Sequence, residues 1–207
     1  MSDLFVYTTP LDPLAQPLVR ELTHEYDSRY GEFYQQDGSP REMEKYPPEL
    51  FAPAQGGNFV LLLRQGQAVA GGAFKRYDDD TAELKRMWTH SQWRRQGLAC
   101  KVMAELEAQV QRQGYRRIYL TTGFRQPEAV GLYQGLGYSA LFDVAAPAGT
   151  YRSLPFEKRL SPEVPSLADA AHFLASRAQH LFVQPTGLLG SVHGPAPAAP
   201  AAHAQAA

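Results

Sequence analysis

Two arginines, a glutamine and a glycine precede a helix-like segment in the middle of the chain. Residues 94–99 read Arg-Arg-Gln-Gly-Leu-Ala, and an apolar stripe with a spacing of four begins at Leu98. The first turn of a helix presents unpaired backbone N–H groups and a partial positive charge, which bind phosphate. Gly97 leaves room for close approach, and Arg94 and Arg95 add charge-assisted donors. The spacing indicates a pyrophosphate site, although solvated arginines beside a tight turn explain it equally well.

Alternating strands and helices must position this turn. Strands are predicted at 5–10, 117–122, 138–142 and 151–160, and helices from Asp12 to about Gly31, at 97–113 and at 127–136. A three-stranded antiparallel meander is predicted at 58–89, with turns at 65–66 and 78–80. Residues 31–57 read as irregular. The strand–helix–strand order around the helix at 97–113 makes the pairing of 82–89 with 117–122 parallel. The sequence therefore predicts an α/β (α+β) fold with a mixed, mostly antiparallel sheet flanked by helices.

Composition excludes several classes of protein. The chain has 207 residues, 44% of them hydrophobic and 20% charged, and a formal net charge of −1. No basic field draws it to nucleic acid or to an anionic membrane, and no apolar run approaches the roughly 20 residues that span a bilayer. The first ten residues lack the features of a signal peptide, and the single cysteine, Cys100, is expected to be a small buried residue. We expect a cytoplasmic protein without nucleic-acid or membrane partners.

The character of the sequence changes after Leu160. Residues 3–160 carry the alternating elements and are predicted to form one domain. An extension is assigned to 161–183. Within it, Ser166 can cap a helix, and the residues that follow include apolar ones at spacings of three and four, which predicts one helix. Residues 184–207 are rich in proline and alanine and nearly uncharged, which predicts a disordered tail.

Three sequence blocks together resemble one enzyme family. The first is Arg-x-x-Gly-x-Ala, formed by Arg94, Gly97 and Ala99 between a strand and a long helix. The others are PEAVGLYQGLGY at 127–138 and LPFEKRL at 154–160. In this order and spacing they resemble the GNAT superfamily of N-acetyltransferases, over about residues 3–160. The resemblance implies an acyl-CoA N-acyltransferase fold, whose parallel strand pair splays apart, and acetyl-coenzyme A as the cosubstrate, with no metal.

The resemblance also implies which residues hold the cosubstrate. The pantetheine arm would pair with the backbone of the strand before the motif, and the pyrophosphate would lie on the amides of the turn. The implied cofactor-binding residues are Met87, Trp88, Thr89, Arg94, Arg95, Gln96, Gly97, Leu98 and Ala99. Many relatives have an asparagine early in the later helix, whereas this chain has Phe-Arg-Gln-Pro, so Gln126 or Arg125 stands in its place.

The resemblance implies two catalytic residues. Tyr133 matches the tyrosine that protonates the departing thiolate in many members, although a core tyrosine is a common alternative. Acetyl transfer also needs a neutral amine, and deprotonating a lysine-like amine near pH 7 costs about 4 kcal/mol. Glu83, fourteen positions before Gly97, matches the catalytic glutamate of the histone-acetylating branch and is the first candidate base. By strand alternation it shares a face with Lys85 and Met87. Pairing of Glu83 with Lys85 or another cation is an equal alternative, and His90 is a lesser candidate base.

The acceptor site is expected to draw on the first helices. Residues 22–45 contain six acidic and three basic residues, with Tyr26, Tyr30 and Phe33 among them as candidate substrate-binding residues. Carboxylates and aromatic rings suit a cationic amine, although a solvated helix face gives the same pattern. We therefore expect a monomeric or homodimeric N-acetyltransferase that acts on a primary amine of a small or amino-acid-like molecule by direct attack in a ternary complex. The alternatives are a protein lysine or N-terminal acetyltransferase and a noncatalytic acyl-CoA-binding regulatory module.

Overall fold

The computed structural model describes residues 3–38, 40–147 and 149–160, in which one sheet is flanked by three helices. The strands are β1 (Leu4–Tyr7), β2 (Asn58–Arg64), β3 (Gln67–Arg76), β4 (Thr81–Thr89), β5 (Arg117–Gly123), β6 (Ser139–Ala140) and β7 (Ser153–Arg159). The helices are α1 (Gln16–Asp37), α2 (Leu98–Arg112) and α3 (Pro127–Gly135). The helix predicted within 161–183 and the tail predicted at 184–207 lie outside the described residues. Within them, no helix is long and apolar enough to cross a bilayer.

The seven strands lie in the order β1-β2-β3-β4-β5-β7-β6. Every neighbouring pair is antiparallel except β4 and β5, which run parallel. Their pairing covers only Thr81–Leu84 against Arg117–Leu120. Beyond Leu84, β4 keeps its partner β3 but has no strand on its other side, while β5 continues beside β7. The predicted fold class is confirmed, and the splayed pair leaves an open cleft.

Two apolar layers hold the helices against the sheet. The regular stripe of α2 is buried, because Leu98, Val102, Leu106 and Val110 are each at most 1% exposed. They pack with α3 on one face of the sheet. On the opposite face, Leu18 and Leu22 of α1 pack against residues of β2 and β3. The spacing of α2 thus predicted both the helix and its buried side.

The first helix is longer than predicted. It continues past Gly31 to Asp37 and ends at Gly38, whose φ of 63° lies in the left-handed region. Tertiary contacts outweigh the low helix propensity of glycine, because Phe33 packs edge-on against Phe124 at 6.0 Å between ring centroids. The prediction of an irregular segment from residue 31 was wrong for residues 31–37.

Strand alternation is interrupted in β4. Ala73 pairs with Lys85 but Gly71 pairs with Trp88, so two residues of β4 lie opposite one residue of β3. The additional residue is Arg86, whose φ is 57°. Such a bulge shifts the alternation of side chains by one residue. The expected common face of Glu83, Lys85 and Met87 was therefore wrong for Met87, which packs on the α2 side.

Candidate active site

Two adjoining cavities open where β4 and β5 part. The first, called the cleft, has a volume of about 470 Å³ and lies between the unpaired edge of β4, the turn before α2, α1 and α3. The second, called the aromatic cavity, has a volume of about 540 Å³ and lies between α1, β5 and the segment that follows α1. Both sizes are typical of small-molecule sites. Seven residues line both cavities: Tyr26, Glu42, Tyr46, Lys85, Thr121, Thr122 and Gln126.

The turn before α2 forms one end of the cleft. Gly97 caps the helix with a φ of 72°, and a side chain added there would meet no heavy atom within 4 Å. The glycine is therefore needed for its left-handed backbone, and the space above it is open. Arg95 also has a positive φ of 64° and lines the cleft. Successive N–H groups in such turns form an anion-binding concavity, as the sequence predicts.

Two polar side chains of this turn, those of Arg94 and Gln96, have partners in the protein. Arg94 lines the cleft but pairs with Glu25 of α1 at 3.0 Å. The Gln96 side chain accepts a hydrogen bond from Arg64 at 2.9 Å, and Gln96 does not line the cleft. Only the Gln96 backbone can serve the predicted cofactor role. The remaining predicted residues of the turn, Leu98 and Ala99, line the cleft.

The unpaired edge of β4 forms the long wall of the cleft. Met87, Trp88 and Thr89 all line it, as expected for residues whose backbone pairs with an extended ligand. The Trp88 side chain points away, since its indole N–H donates to Glu21 at 2.9 Å on the α1 side. The contribution available from Trp88 is therefore its peptide group.

Gln126, and not Arg125, faces the cavities. The Gln126 side-chain oxygen accepts hydrogen bonds from the Thr122 hydroxyl at 3.1 Å and from the Gly123 backbone at 3.2 Å. Arg125 turns toward α1, where it donates to Arg29 O at 2.6 Å. Of the two residues that stand in place of the family's asparagine, Gln126 has the position to touch a ligand.

Tyr133 lies on the inner side of α3 and lines the cleft. It is 6% exposed, and its ring packs against those of Tyr138 and Phe156 at 5.8 and 5.7 Å between centroids. Burial raises the pKa of its hydroxyl, which therefore keeps its proton at neutral pH. Tyr133 thus belongs to the core and also lines the cleft, with a hydroxyl group that is protonated at neutral pH.

Glu83 is held by two lysines. One carboxylate oxygen lies 2.6 Å from Lys75 Nζ and the other 2.7 Å from Lys85 Nζ. Burial alone would raise the pKa of Glu83, but the lysines outweigh it and lower the pKa below its usual value. A carboxylate in this state is a poor proton acceptor. The geometry fits the ion-pair alternative, and Glu83 does not line the cleft.

His90 is occupied elsewhere. Its Nδ1 accepts a hydrogen bond from Gln92 N at 3.2 Å and caps a short 3₁₀ turn, while Nε2 lies 3.6 Å from Glu21. It lines neither of the two cavities. The lesser candidate base therefore has a structural task at the end of β4.

The aromatic cavity gathers the predicted acceptor residues. Tyr26, Tyr30 and Phe33 all line it, together with aromatic residues from other elements. Its charges are mixed and not mainly acidic, because Glu42 and Glu83 stand beside Lys45, Lys85 and Arg152. The expected acid-rich surroundings of a purely cationic amine are therefore absent from this cavity.

Sequence reasoning assigned no ligand-binding role to three residues that line the cavities. Glu42 and Lys85 lie where the cavities join, but only the fold brings the loop after α1 next to β4. Cys100 was expected to be buried, yet it is exposed in the first turn of α2 and lines the cleft. The apolar stripe beginning at Leu98 passes positions 102, 106 and 110, so helical periodicity already places residue 100 off the buried face.

Solved structures share this architecture. A Klebsiella pneumoniae protein provisionally described as an acyl-CoA N-acyltransferase is 25% identical, with a TM-score of 0.56 over 77% of this chain and 98% of its own. The PaiA N-acetyltransferase of Thermoplasma acidophilum, solved with coenzyme A, is 15% identical, with a TM-score of 0.56 over 77% and 99%. A GNAT acetyltransferase of Elizabethkingia anophelis, solved with acetyl-coenzyme A, is 13% identical, with a TM-score of 0.52 over 76% and 98%. No curated protein matches the chain.

The fold and the cleft define an acyl-CoA N-acyltransferase-like protein. The model of the acetyltransferase (GNAT) family matches residues 19–138, more than half of the chain. The chain therefore belongs to the acetyltransferase (GNAT) family, and the resemblance found in the three sequence blocks is confirmed. Its reaction class is acetyl transfer from acetyl-coenzyme A.

Proposed function

We propose that the protein transfers the acetyl group of acetyl-coenzyme A to a primary amine of a small molecule by direct attack in a ternary complex. The main support for this proposal is that the cleft and the aromatic cavity meet at the seven residues that line both, a place called the junction below. A thioester reaching the junction along β4 would meet an amine held in the aromatic cavity. Proximity of this kind replaces a bimolecular encounter with an oriented one.

The residues of the cleft support binding of the cosubstrate in one orientation, with its pyrophosphate at the turn before α2. The N–H groups from Arg95 to Ala99 and the α2 dipole would hold the pyrophosphate. The unpaired β4 edge at Met87–Thr89 would pair with the amide groups of pantetheine as an added strand would. Gln126 has side-chain N–H groups to offer at the junction. This orientation places the acyl group away from the turn and next to the aromatic cavity.

Bond changes follow from direct attack. The amine nitrogen forms a bond with the acyl carbon, the carbon–sulfur bond breaks, and the sulfur leaves as a thiolate. Tyr133 donates a hydrogen bond, and then its proton, to that sulfur. Because burial raises the pKa of Tyr133, the hydroxyl carries its proton at neutral pH and has it to give when the thiolate forms. The nitrogen loses its proton to a carboxylate or to water.

An acyl-enzyme on Cys100 does not fit the geometry. Cys100 lies in the first turn of α2, at the end of the cleft proposed for the pyrophosphate, and it is not among the seven residues of the junction. Retained turnover in Cys100→Ala is the expected result. Loss of turnover with intact acetyl-coenzyme A binding would contradict direct attack.

An acceptor panel that follows thiol release tests the proposed function. The panel contains small primary amines, amino acids, and peptides with free lysine or N-terminal amines. Turnover on small molecules supports the proposal, whereas turnover confined to peptides would replace it with a protein acetyltransferase. Binding of acetyl-coenzyme A without turnover on any acceptor would indicate a noncatalytic acyl-CoA-binding module.

A further inference from the structure

One carboxylate and one ammonium face each other at the junction. Lys85 Nζ lies 4.0 Å from Glu42 Oε1, and both residues line both cavities. This separation is at the limit of an ion pair and leaves each group able to take a closer partner. Lys85 is 8% exposed and Glu42 has a side chain 31% exposed, so the pair is partly sheltered from water.

Lys85 is fixed as a cation. Its ammonium lies 2.7 Å from Glu83, 3.5 Å from the Thr121 hydroxyl and 4.9 Å from the centre of the Tyr46 ring. Burial alone would lower the pKa of Lys85, but Glu83 outweighs it and raises the pKa. Glu83 is thus a positioning residue that keeps Lys85 charged and pointed at the junction. A permanently charged ammonium recognises a carboxylate.

Four charged groups are linked by close contacts at the junction. Lys75 and Lys85 carry two positive charges, and Glu83 and Glu42 carry two negative charges. Lys45 and Arg152 add two further positive charges to the aromatic cavity. A ligand with both an amino group and a carboxylate can pair with Glu42 and with Lys85 at once, whereas a ligand with only one of these groups can pair with only one of the two. In an α-amino acid these two groups are attached to one carbon, which suits charges only 4.0 Å apart.

The rest of the aromatic cavity is suited to a large apolar group. On one side Tyr30 and Phe33 pack edge-on against Phe124, each at 6.0 Å between centroids. On another side the rings of Tyr77 and Tyr119 lie 5.1 Å apart. All five residues line the cavity. Rings arranged in this way offer apolar surface on which an aromatic or large aliphatic group can pack.

We infer that the acceptor is an α-amino acid with a large apolar side chain, whose carboxylate binds Lys85, whose amino group binds Glu42, and whose side chain lies among the rings. This inference rests on the proposed function. Glu42 takes one proton from the bound ammonium, which leaves a neutral amine that can attack the thioester. When the nitrogen–carbon bond forms and the carbon–sulfur bond breaks, the nitrogen loses a second proton to water, and the sulfur receives its proton from Tyr133, which regains one from water.

A matched acceptor series tests the inference on the unaltered protein. L-Phenylalanine, L-phenylalaninamide and phenethylamine share a ring and a primary amine, and only the first has a carboxylate. We expect kcat/KM for L-phenylalanine to exceed that for the other two by about 30-fold or more, since only L-phenylalanine forms a charge-assisted hydrogen bond with Lys85. L-Alanine, which lacks the ring, should be acetylated at least about 10-fold more slowly than L-phenylalanine.

Three variants test which residue causes the preference for L-phenylalanine over its amide. Lys85→Met should reduce kcat/KM for L-phenylalanine to that for its amide. Glu83→Gln should raise KM for L-phenylalanine more than it lowers kcat, as a positioning role predicts. Lys101→Met, at an exposed lysine that pairs with Asp3 and lines neither cavity, should keep the preference. If Lys85→Met fails to fold, the substrate series on the unaltered protein still decides.

The outcomes separate this inference from the proposed function. Equal turnover of L-phenylalanine, its amide and phenethylamine would overturn the inference and leave the proposed function intact. The same holds if other small amines are acetylated but no amino acid is. Absence of thiol release with every acceptor, in a protein that binds acetyl-coenzyme A, would overturn both.

Discussion

Replacement of Gly97 by asparagine or aspartate tests where the pyrophosphate binds. The two side chains have nearly the same size and differ mainly in charge. Neither meets a steric obstacle, because the space at Gly97 is open to 4 Å. Both place a side chain on a backbone with a φ of 72°, which asparagine and aspartate tolerate better than other residues. The difference between Gly97→Asn and Gly97→Asp therefore reports the added negative charge.

The size of that difference follows from Coulomb's law. At a separation of about 6 Å and an effective dielectric constant of about 20, two like unit charges repel by about 3 kcal/mol. Salt at physiological strength and movement of an exposed side chain reduce this to about 1.5–2.5 kcal/mol. Since about 1.4 kcal/mol is a factor of ten, we expect Gly97→Asp to bind acetyl-coenzyme A about 10- to 60-fold more weakly than Gly97→Asn.

Titration calorimetry with acetyl-coenzyme A at low and high salt measures the effect. The gap between the variants should narrow at high salt, because screening weakens repulsion between exposed charges. Thermal unfolding serves as the control, since both variants carry the same backbone strain and should lose a similar few degrees in Tm. Equal affinities for the two variants, at both salt concentrations, would refute the placement of the pyrophosphate at this turn.

Three further outcomes follow from the contacts. Tyr133→Phe should lower kcat about ten-fold or more and leave the acetyl-coenzyme A Kd nearly unchanged, because only the proton donor is lost; unchanged kcat in steady-state assays would reject that role. Glu25→Gln should tighten acetyl-coenzyme A binding about 3-fold, because it releases Arg94 from an ion pair of 3.0 Å, whereas Arg94→Ala should weaken binding about 10-fold. If calorimetry shows weaker binding by Glu25→Gln, the ion pair holds Arg94 in place for the ligand, and the expectation is wrong. A hydrogen bond from Arg64 holds the pKa of Asp3 below its usual value, so its stabilisation is present above about pH 4 and is lost as the pH falls further. The Tm difference between the unaltered protein and Asp3→Asn should therefore be larger at pH 7 than at pH 3, and a constant difference would contradict the ion pair.

Local patterns predicted those parts of the molecule that local forces determine. The four-residue stripe of α2 needs only a helix and one apolar layer, and it was predicted correctly with its buried side. The parallel pairing of β4 and β5 followed from the order of elements and a general rule of handedness. The position of Gly97 followed from turn chemistry, although its left-handed φ, and not only the open space, is the reason for the glycine.

Features that depend on distant residues were missed. The extension of α1 beyond Gly31 depends on Phe124, which lies about ninety positions away in the sequence. The pairing of Glu83 with Lys75 needs two adjacent strands in register, and the approach of Glu42 to Lys85 needs the loop after α1 to fold over β4. Periodicity within one segment contains no information about such contacts, so the junction of the two cavities at Glu42 and Lys85 emerged only with the fold.

The bulge at Arg86 has a consequence for chain length. Without that residue, Met87 would lie opposite Gly72 and the side chains on both sides of it would keep their present faces, so β4 would alternate regularly. A regular β4 has less local twist and bend, and it would run on beside β5 beyond Leu84. A chain shortened by this single residue is therefore expected to form a better-paired sheet whose cleft is closed. The opening for the cosubstrate thus depends on one additional residue, Arg86.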